Sequence, residues 1–245
     1  MRISRRSILG GLAATLLSFR TGGLNKLSPW REDLVDCALL DLCSHCVLRE
    51  SLKGYRAALT DDHHLVEYFP ESTSRYRFVI VPGIGSMDAA LAQTLSNLLN
   101  AGTHLLLESG AGFLSPADFA VHQRFLLRYF GVSVLPPLDL WSGKSVDHTF
   151  LPVGYGYSGK QLTSHESIPY VTYNWPDEIR VRDFSRVIPV SPKDGDVIGR
   201  VGAVPVALKK RMASGTLIFL GSPLGPALRS GDPEARTWLR LVATL

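Results

Sequence analysis

Residues 78–113 read FVIVPGIGSMDAALAQTLSNLLNAGTHLLLESGAGF, and this stretch decides the fold. Residues 78–81 form a short apolar, β-branched run, which is typical of a strand buried on both faces. A glycine turn follows, then a helical apolar pattern with Ser86 as its expected N-cap, then a second apolar run at residues 105–107. A strand, a helix and a strand with such short connections predict a βαβ unit and a parallel sheet.

The turns that follow these two strands mark the predicted site. In an open parallel sheet, ligands bind beyond the carboxyl ends of the strands. Residues 82–85 and 108–112 follow the two strands directly, and both segments are rich in glycine. We therefore expect the functional site to lie over these two turns.

The same stretch resembles the class I glutamine amidotransferase-like superfamily. Residues 82–85 match the family's turn of backbone donors, and residues 108–112 match its Gly-x-Cys-x-Gly nucleophile elbow. Residues 215–224 resemble its last strand and the turn that carries His-Pro-Glu. The resemblance implies a flavodoxin-like three-layer α/β/α fold, with a parallel sheet between helices, over residues 35–135 and 197–245.

The residues that perform catalysis in this superfamily are missing here. Gly110 stands at the position of the cysteine nucleophile, and Ser222 and Leu224 stand at the histidine and glutamate positions. A thiol attack needs a thiolate and a base that orients it, which these residues do not supply. The resemblance therefore implies a pseudoenzyme, a non-catalytic domain that acts as a ligand-binding or accessory module.

Backbone N–H groups and hydroxyls at these turns form the predicted pocket, which could hold an anion or a sugar hydroxyl. The predicted ligand-binding residues are Gly83, Gly85, Ser109, Gly110 and Ser222. A second interpretation is a serine-type hydrolase with Ser109 as its nucleophile. This enzyme would need a histidine and an acid from elsewhere, and the spacing does not choose among His45, His148 and His165.

Cys43 and Cys46 support a third interpretation, a periplasmic thiol–disulfide oxidoreductase. They form a C-x-x-C motif between a predicted strand and the start of a predicted helix, where the helix dipole stabilises a thiolate. The motif, with a histidine between the cysteines, resembles that of strongly oxidising enzymes of the thioredoxin fold. A structural or incidental pair is the competing interpretation, since no convincing cis-proline segment follows and Cys37 is a third thiol.

The first twenty residues are typical of an export signal. They contain four arginines and no acidic residue, and residues 8–19 form an apolar run too short to span a bilayer comfortably. Residues 4–9 (SRRSIL) resemble the twin-arginine export motif, with an ordinary Sec signal as the alternative. We expect an exported protein in the periplasm or at the extracytoplasmic face, attached to the membrane only where the signal stays uncleaved.

The rest of the chain is formally neutral, because the four N-terminal arginines account for the net charge of +4. This balance gives no electrostatic argument for a nucleic-acid partner. We expect residues 1–30 to be signal and linker and residues 31–245 to form one domain. Within it, residues 136–200 are rich in Pro, Gly, Tyr and short β runs, which predicts a β-rich insertion or cover.

The remaining candidates give no cofactor and no metal site. His63 and His64 are adjacent on a predicted strand, so they point to opposite faces and cannot easily share one ion. His104 and His122 lie in apolar patterns and are expected to be packed. Six aromatic residues could line a carbohydrate or peptide groove: Trp141, Tyr155, Tyr157, Tyr170, Tyr173 and Trp175. The predicted partner is thus an unidentified small molecule, carbohydrate or protein, and a homo-oligomer is allowed.

Overall fold

A mixed sheet of nine strands forms the centre of the computed structural model. The structure describes residues 37–42, 48–60, 66–68, 76–110, 116–138, 140, 169–183 and 186–244. Its strands are β1 (Cys37–Leu40), β2 (Val66–Tyr68), β3 (Phe78–Ile84), β4 (His104–Ser109), β5 (Tyr170–Asn174), β6 (Glu178–Arg182), β7 (Asp196–Val201), β8 (Val204–Met212) and β9 (Gly215–Leu220). Its helices are α1 (Arg49–Thr60), α2 (Ala89–Asn100), α3 (Pro116–Phe125), α4 (Gly225–Arg229) and α5 (Pro233–Ala243), and a π-helical segment, Leu126–Phe130, continues α3.

The strand order is β2-β1-β3-β4-β9-β8-β7-β5-β6. The five strands from β2 to β9 are parallel, and the remaining strands join them in antiparallel pairs. The prediction of an α/β class is confirmed, although the sheet is mixed and not wholly parallel. The residues 203–211 and 216–220 predict a hairpin, which the antiparallel pair of β8 and β9 confirms. The strands of the predicted β-rich region do not form a separate layer, because β5, β6 and β7 extend the same sheet.

Two apolar cores lie on the two faces of this sheet. Successive strand residues point to opposite faces, so Leu39 and Ile80 pack with α1, α4 and α5, whereas Leu40 and Val81 pack with α2 and α3. Helices cover both faces, which explains why the parallel strands are continuous apolar runs rather than alternating ones.

Several boundaries differ from the sequence-based expectation. Asp88, not Ser86, caps α2, because its carboxylate accepts the N–H of Leu91 at 2.8 Å. β3 continues through the predicted break at residue 82, with a register shift between Val81 and Ile84. The short β-branched runs at residues 132–135 and 187–190 predict two further strands, but the structure has only isolated bridges there.

Small residues let α1 lie unusually close to the turn that begins α4. A Cβ atom added at Gly54 would lie 1.8 Å from the carbonyl oxygen of Gly225. One added at Gly225 would lie 2.3 Å from the Cα of Ser51. The two segments therefore meet backbone to backbone, and this contact fixes α1 over the carboxyl ends of the parallel strands.

Gly54→Ala tests this contact. Glycine inside a helix costs up to about 1 kcal/mol relative to alanine, so the substitution would stabilise an uncrowded helix. We expect it to destabilise the fold by about 2 kcal/mol or more, because the added methyl group overlaps the Gly225 carbonyl. Urea unfolding measures the difference. Ala57→Gly, at an exposed position of α1, is the control for helix propensity alone, and a more stable Gly54→Ala protein would contradict the packing.

Candidate functional site

The side chain of Glu108 lies at the carboxyl end of β4 and is fully buried. Its Oε2 atom accepts three hydrogen bonds: from the hydroxyl of Tyr55 at 2.7 Å, and from the backbone N–H groups of Leu224 at 3.0 Å and Gly225 at 3.1 Å. Its Oε1 atom accepts the hydroxyl of Ser51. One carboxyl group thus joins α1, β4 and the start of α4.

Burial raises the pKa of the Glu108 carboxyl, against the opposing effect of its four hydrogen bonds. Oε2 accepts three hydrogen bonds, and Oε1 accepts the one that Ser51 donates. Every oxygen of the group is therefore engaged within the protein. A carboxyl in this state holds structure together and has no free position for a ligand.

The predicted ligand-binding glycines line the same closed edge. Gly83, Gly85 and Gly110 are all buried. A Cβ atom at Gly110 would lie 2.7 Å from the carbonyl oxygen of Gly83, and one at Gly83 would lie 2.7 Å from the Cβ of Leu48. Gly83 also has a φ of +51°, which favours glycine. Ligand binding at these positions stays a prediction, and what the structure places around them is packed protein.

Ser109 meets a histidine that the sequence did not assign to it. Its Oγ lies 2.9 Å from Nε2 of His122, and both side chains are fully buried. Burial lowers the pKa of His122 to about 4, so the ring is neutral at physiological pH. Nδ1 of the ring has no hydrogen-bonding partner among the described residues. A catalytic triad requires an acid at that nitrogen, so the described residues form a Ser–His pair without its third member.

Ser222, the last predicted binding residue, is also engaged. Its Oγ donates to Oδ1 of Asp183 at 2.9 Å, and both side chains are buried. The hydrogen bond connects the turn after β9 to the segment after β6.

The cysteine and histidine candidates fall largely outside the described residues. This holds for Cys43 and Cys46 and for the proposed histidine partners His45, His148 and His165. Cys37 is described and lies in β1, where burial raises the pKa of its thiol to about 12. In the described ranges, no cluster of His, Cys, Asp or Glu could hold a metal ion. No helix there is long and apolar enough to cross a membrane.

An open cleft of about 690 Å³ lies at the other end of the sheet. It is formed by the edge hairpin of β5 and β6 and by the turn before α5. Its polar and aromatic lining includes Tyr170, Glu178, Arg180, Arg182, Asp232 and Glu234. The sequence had marked Tyr170 as a groove residue, but it had not predicted β6. Residues 178–182 (EIRVR) alternate charged with apolar residues, which is the pattern of a half-buried strand, so the signal for β6 was present in the sequence and was missed.

No family model matches the chain, and no curated protein matches its sequence. Solved structures do match its fold. An exo-β-1,4-mannosidase from Opitutaceae bacterium strain TAV5 matches with a TM-score of 0.53 and 12% identity over 85% of this chain and 34% of the mannosidase. A β-galactosidase from Bacillus circulans sp. alkalophilus matches with a TM-score of 0.55 and 11% identity, over 85% of this chain and 32% of the enzyme.

A cytoplasmic protein from Salmonella typhimurium LT2 also matches, with a TM-score of 0.52 and 11% identity, over 77% of this chain and 85% of its own. At such low identities the likeness concerns the fold alone. The chain spans about a third of the length of the two glycosidases. The fold is therefore found both as a part of large glycosidases and as most of a smaller protein.

These comparisons contradict the predicted amidotransferase-like family, because the similar solved structures include glycosidases and no family model matches. The predicted role as a non-catalytic amidotransferase-like module, or pseudoenzyme, is wrong for the same reason. The structure explains how the motif misled. Gly110 packs against Gly83, Ser222 donates to Asp183, and the N–H of Leu224 donates to Glu108. Each of the three residues thus has a structural role in this protein.

Two substitutions of Glu108 separate its acceptor role from its charge. Glu108→Gln keeps an acceptor for the Oε2 donors and can donate to Ser51, so we expect a small loss of stability. Glu108→Leu leaves two hydroxyls and two backbone N–H groups without their acceptor, and we expect a loss of about 3–5 kcal/mol. Urea unfolding at pH 5 measures both, and equal losses would contradict the assigned hydrogen bonds.

The same pair predicts a pH dependence. The pKa of Glu108 is raised in the folded protein. Its contribution to the free energy of unfolding is therefore complete below the unfolded-state pKa of 4.5 and is lost as pH rises through the folded-state pKa. Glu108→Gln cannot ionise, so its stability relative to the native protein should improve between pH 5 and pH 8. Unfolding free energies at the two pH values give the comparison, and a constant difference would show that Glu108 does not titrate there.

His122 predicts the opposite pH dependence. Its pKa in the folded protein, about 4, lies below the ordinary 6.5. The contribution of the buried neutral ring to the free energy of unfolding is therefore complete above pH 6.5 and is lost as pH falls toward 4. This loss amounts to about 3 kcal/mol. His122→Gln should therefore destabilise less on acidification than the native protein. His104→Gln, at a half-buried histidine of β4, is the control, and an unchanged acid profile for His122→Gln would contradict the burial of a neutral ring.

Proposed function

We propose that the protein takes part in carbohydrate processing and that this chain recognises glycans. The observation that carries the proposal is the match of 85% of this chain to about a third of both a mannosidase and a β-galactosidase. The names of those proteins describe enzymes that act on sugar polymers or oligosaccharides. The open, polar and aromatic cleft beside β6 adds a surface with suitable chemistry.

Recognition is favoured over hydrolysis by the described residues themselves. A glycosidase acid needs a carboxyl with a raised pKa that reaches the scissile bond. Glu108 has the raised pKa, but it is fully buried and accepts four hydrogen bonds from the protein. Glu108 therefore cannot reach the scissile bond of a bound sugar.

We also infer a finer fold class and a location. The order β2-β1-β3-β4-β9 of the parallel strands supports a flavodoxin-like arrangement for that half of the sheet. The twin-arginine-like residues 4–9 and the apolar run after them support export to the periplasm or the extracytoplasmic face. An exported protein can bind a glycan outside the cytoplasm, so the proposed location and the proposed ligand are compatible.

Isothermal titration calorimetry with mannotetraose and galactotetraose tests the function. We expect the protein to bind at least one of them with a dissociation constant of about 0.1–1 mM, as a cleft with a few convergent polar groups allows. Release of nitrophenol from nitrophenyl β-mannoside and β-galactoside is measured in parallel, and none is expected. Failure to bind these tetrasaccharides, together with a blank result on an array of neutral glycans, would contradict the proposal.

A further inference from the structure

We propose that the cleft between the β5–β6 hairpin and the start of α5 is an oligosaccharide-binding site for an uncharged sugar chain, with Tyr170 as its aromatic wall. This inference rests on the proposed carbohydrate function and assigns it to particular residues. The cleft volume of about 690 Å³ lies within the range of small-molecule sites and is sufficient for two or more sugar rings.

Pairing in the hairpin places the polar lining on one face. Tyr170 lies opposite Arg182, Thr172 opposite Arg180, and Asn174 opposite Glu178. Residues two apart on a strand share a face, so Tyr170, both arginines and Glu178 project from the face opposite the buried Val171 and Tyr173. The Arg180 guanidinium lies 4.8 Å from the centroid of the Tyr170 ring, which fixes both groups at the cleft.

The charges of the lining favour a neutral ligand. The lining contains three carboxylates, of Glu178, Asp232 and Glu234, and two guanidinium groups, of Arg180 and Arg182, so a polyanion meets a net negative lining. Carboxylates accept hydrogen bonds from hydroxyl groups. A guanidinium group can donate two parallel hydrogen bonds, which suits the adjacent hydroxyls of a sugar. Oδ1 of Asp232 already accepts the N–H groups of Glu234 and Ala235, so the start of α5 offers no vacant anion site.

The walls of the cleft are held in a fixed relation by the core beneath them. The Tyr173 ring packs on Trp238 of α5 with centroids 4.4 Å apart. Nε1 of Trp238 donates to the carbonyl of Trp175 at 2.9 Å. Both contacts tie the hairpin to α5 without using Tyr170 or Arg180. The cleft is therefore preformed, and substitutions of its lining leave this support in place.

In the described part of the sheet β6 is the last strand, and its side chains do not favour a peptide as the occupant. Glu178, Arg180 and Arg182 place charged side chains at every second position of this strand. Charges along an edge strand oppose the addition of another strand. The aromatic and mixed-charge lining is then better explained by sugar recognition than by backbone pairing.

Tyr170→Ala and Arg180→Gln test the site by calorimetry with mannotetraose and galactotetraose. We expect each to weaken binding about tenfold or more, since each removes a group that contacts the sugar. The matched controls are Tyr129→Ala and Arg128→Gln, which disrupt a similar arginine–tyrosine pair, 5.5 Å apart, in the π-helical segment after α3. The control variants should bind within about twofold of the native protein. Thermal unfolding confirms that all four variants fold.

The outcomes distinguish the site from the function. Native binding that survives both cleft substitutions overturns this site but leaves carbohydrate recognition standing. Absence of binding by the native protein overturns both. Oligogalacturonate, a polyanionic sugar chain, is the second probe, and we expect it to bind more weakly than the neutral tetrasaccharides. Tighter binding of oligogalacturonate would overturn the assignment of an uncharged ligand.

Discussion

The buried carboxyl of Glu108 is the interaction on which the arrangement of the parallel half depends. It joins Ser51, 57 residues before it in the chain, to Gly225, 117 residues after it. An unpaired carboxyl at this depth would be very costly, so α1 and the start of α4 must both supply their donors. The near-contact of Gly54 with Gly225 is the steric counterpart, because only small residues allow those donors to reach one carboxyl.

This constraint has a consequence for function. The carboxyl ends of parallel strands are the usual place for a ligand. Here the described part of that edge holds Glu108 with its donors and the buried pair of Ser109 and His122. The carboxyl of Glu108 and the hydroxyl of Ser109 have their hydrogen-bonding partners within the protein, and Nδ1 of His122 has none among the described residues. An open cleft with aromatic and charged groups lies instead at the antiparallel edge of the described sheet, beside β5 and β6.

The sequence predicted most of the elements because their signals are local. Apolar runs predict β3, β4 and β9, and one at residues 37–42 predicts β1; helical patterns predict α2 and, over residues 232–243, α5. Two elements were missed. The charged and apolar residues of β6 alternate as in a half-buried strand, a signal that the sequence did contain, whereas α4 is a five-residue helix containing glycine and proline. Its stability comes from the donors it gives Glu108, a contact that no local pattern encodes.

The candidate site shows the same division between local and distant information. The small residues at the turns were recognised. The sequence could not show whether these glycines leave room for a ligand or for close packing of another segment of the chain. His122 was expected to be packed, and its burial agrees, yet its hydrogen bond to Ser109 joins β4 to α3, a contact that no local pattern encodes. An acidic residue ending an apolar strand was the available signal for Glu108.

Hydrogen–deuterium exchange of the native protein, with and without saturating mannotetraose or galactotetraose, tests most directly whether recognition occurs at the antiparallel edge. We predict slower exchange in the segments 170–182 and 230–235, which form the cleft, and no change at residues 104–110 and 222–225 around Glu108. Protection confined to the segments around Glu108 would contradict this account and place the ligand at the carboxyl ends of the parallel strands.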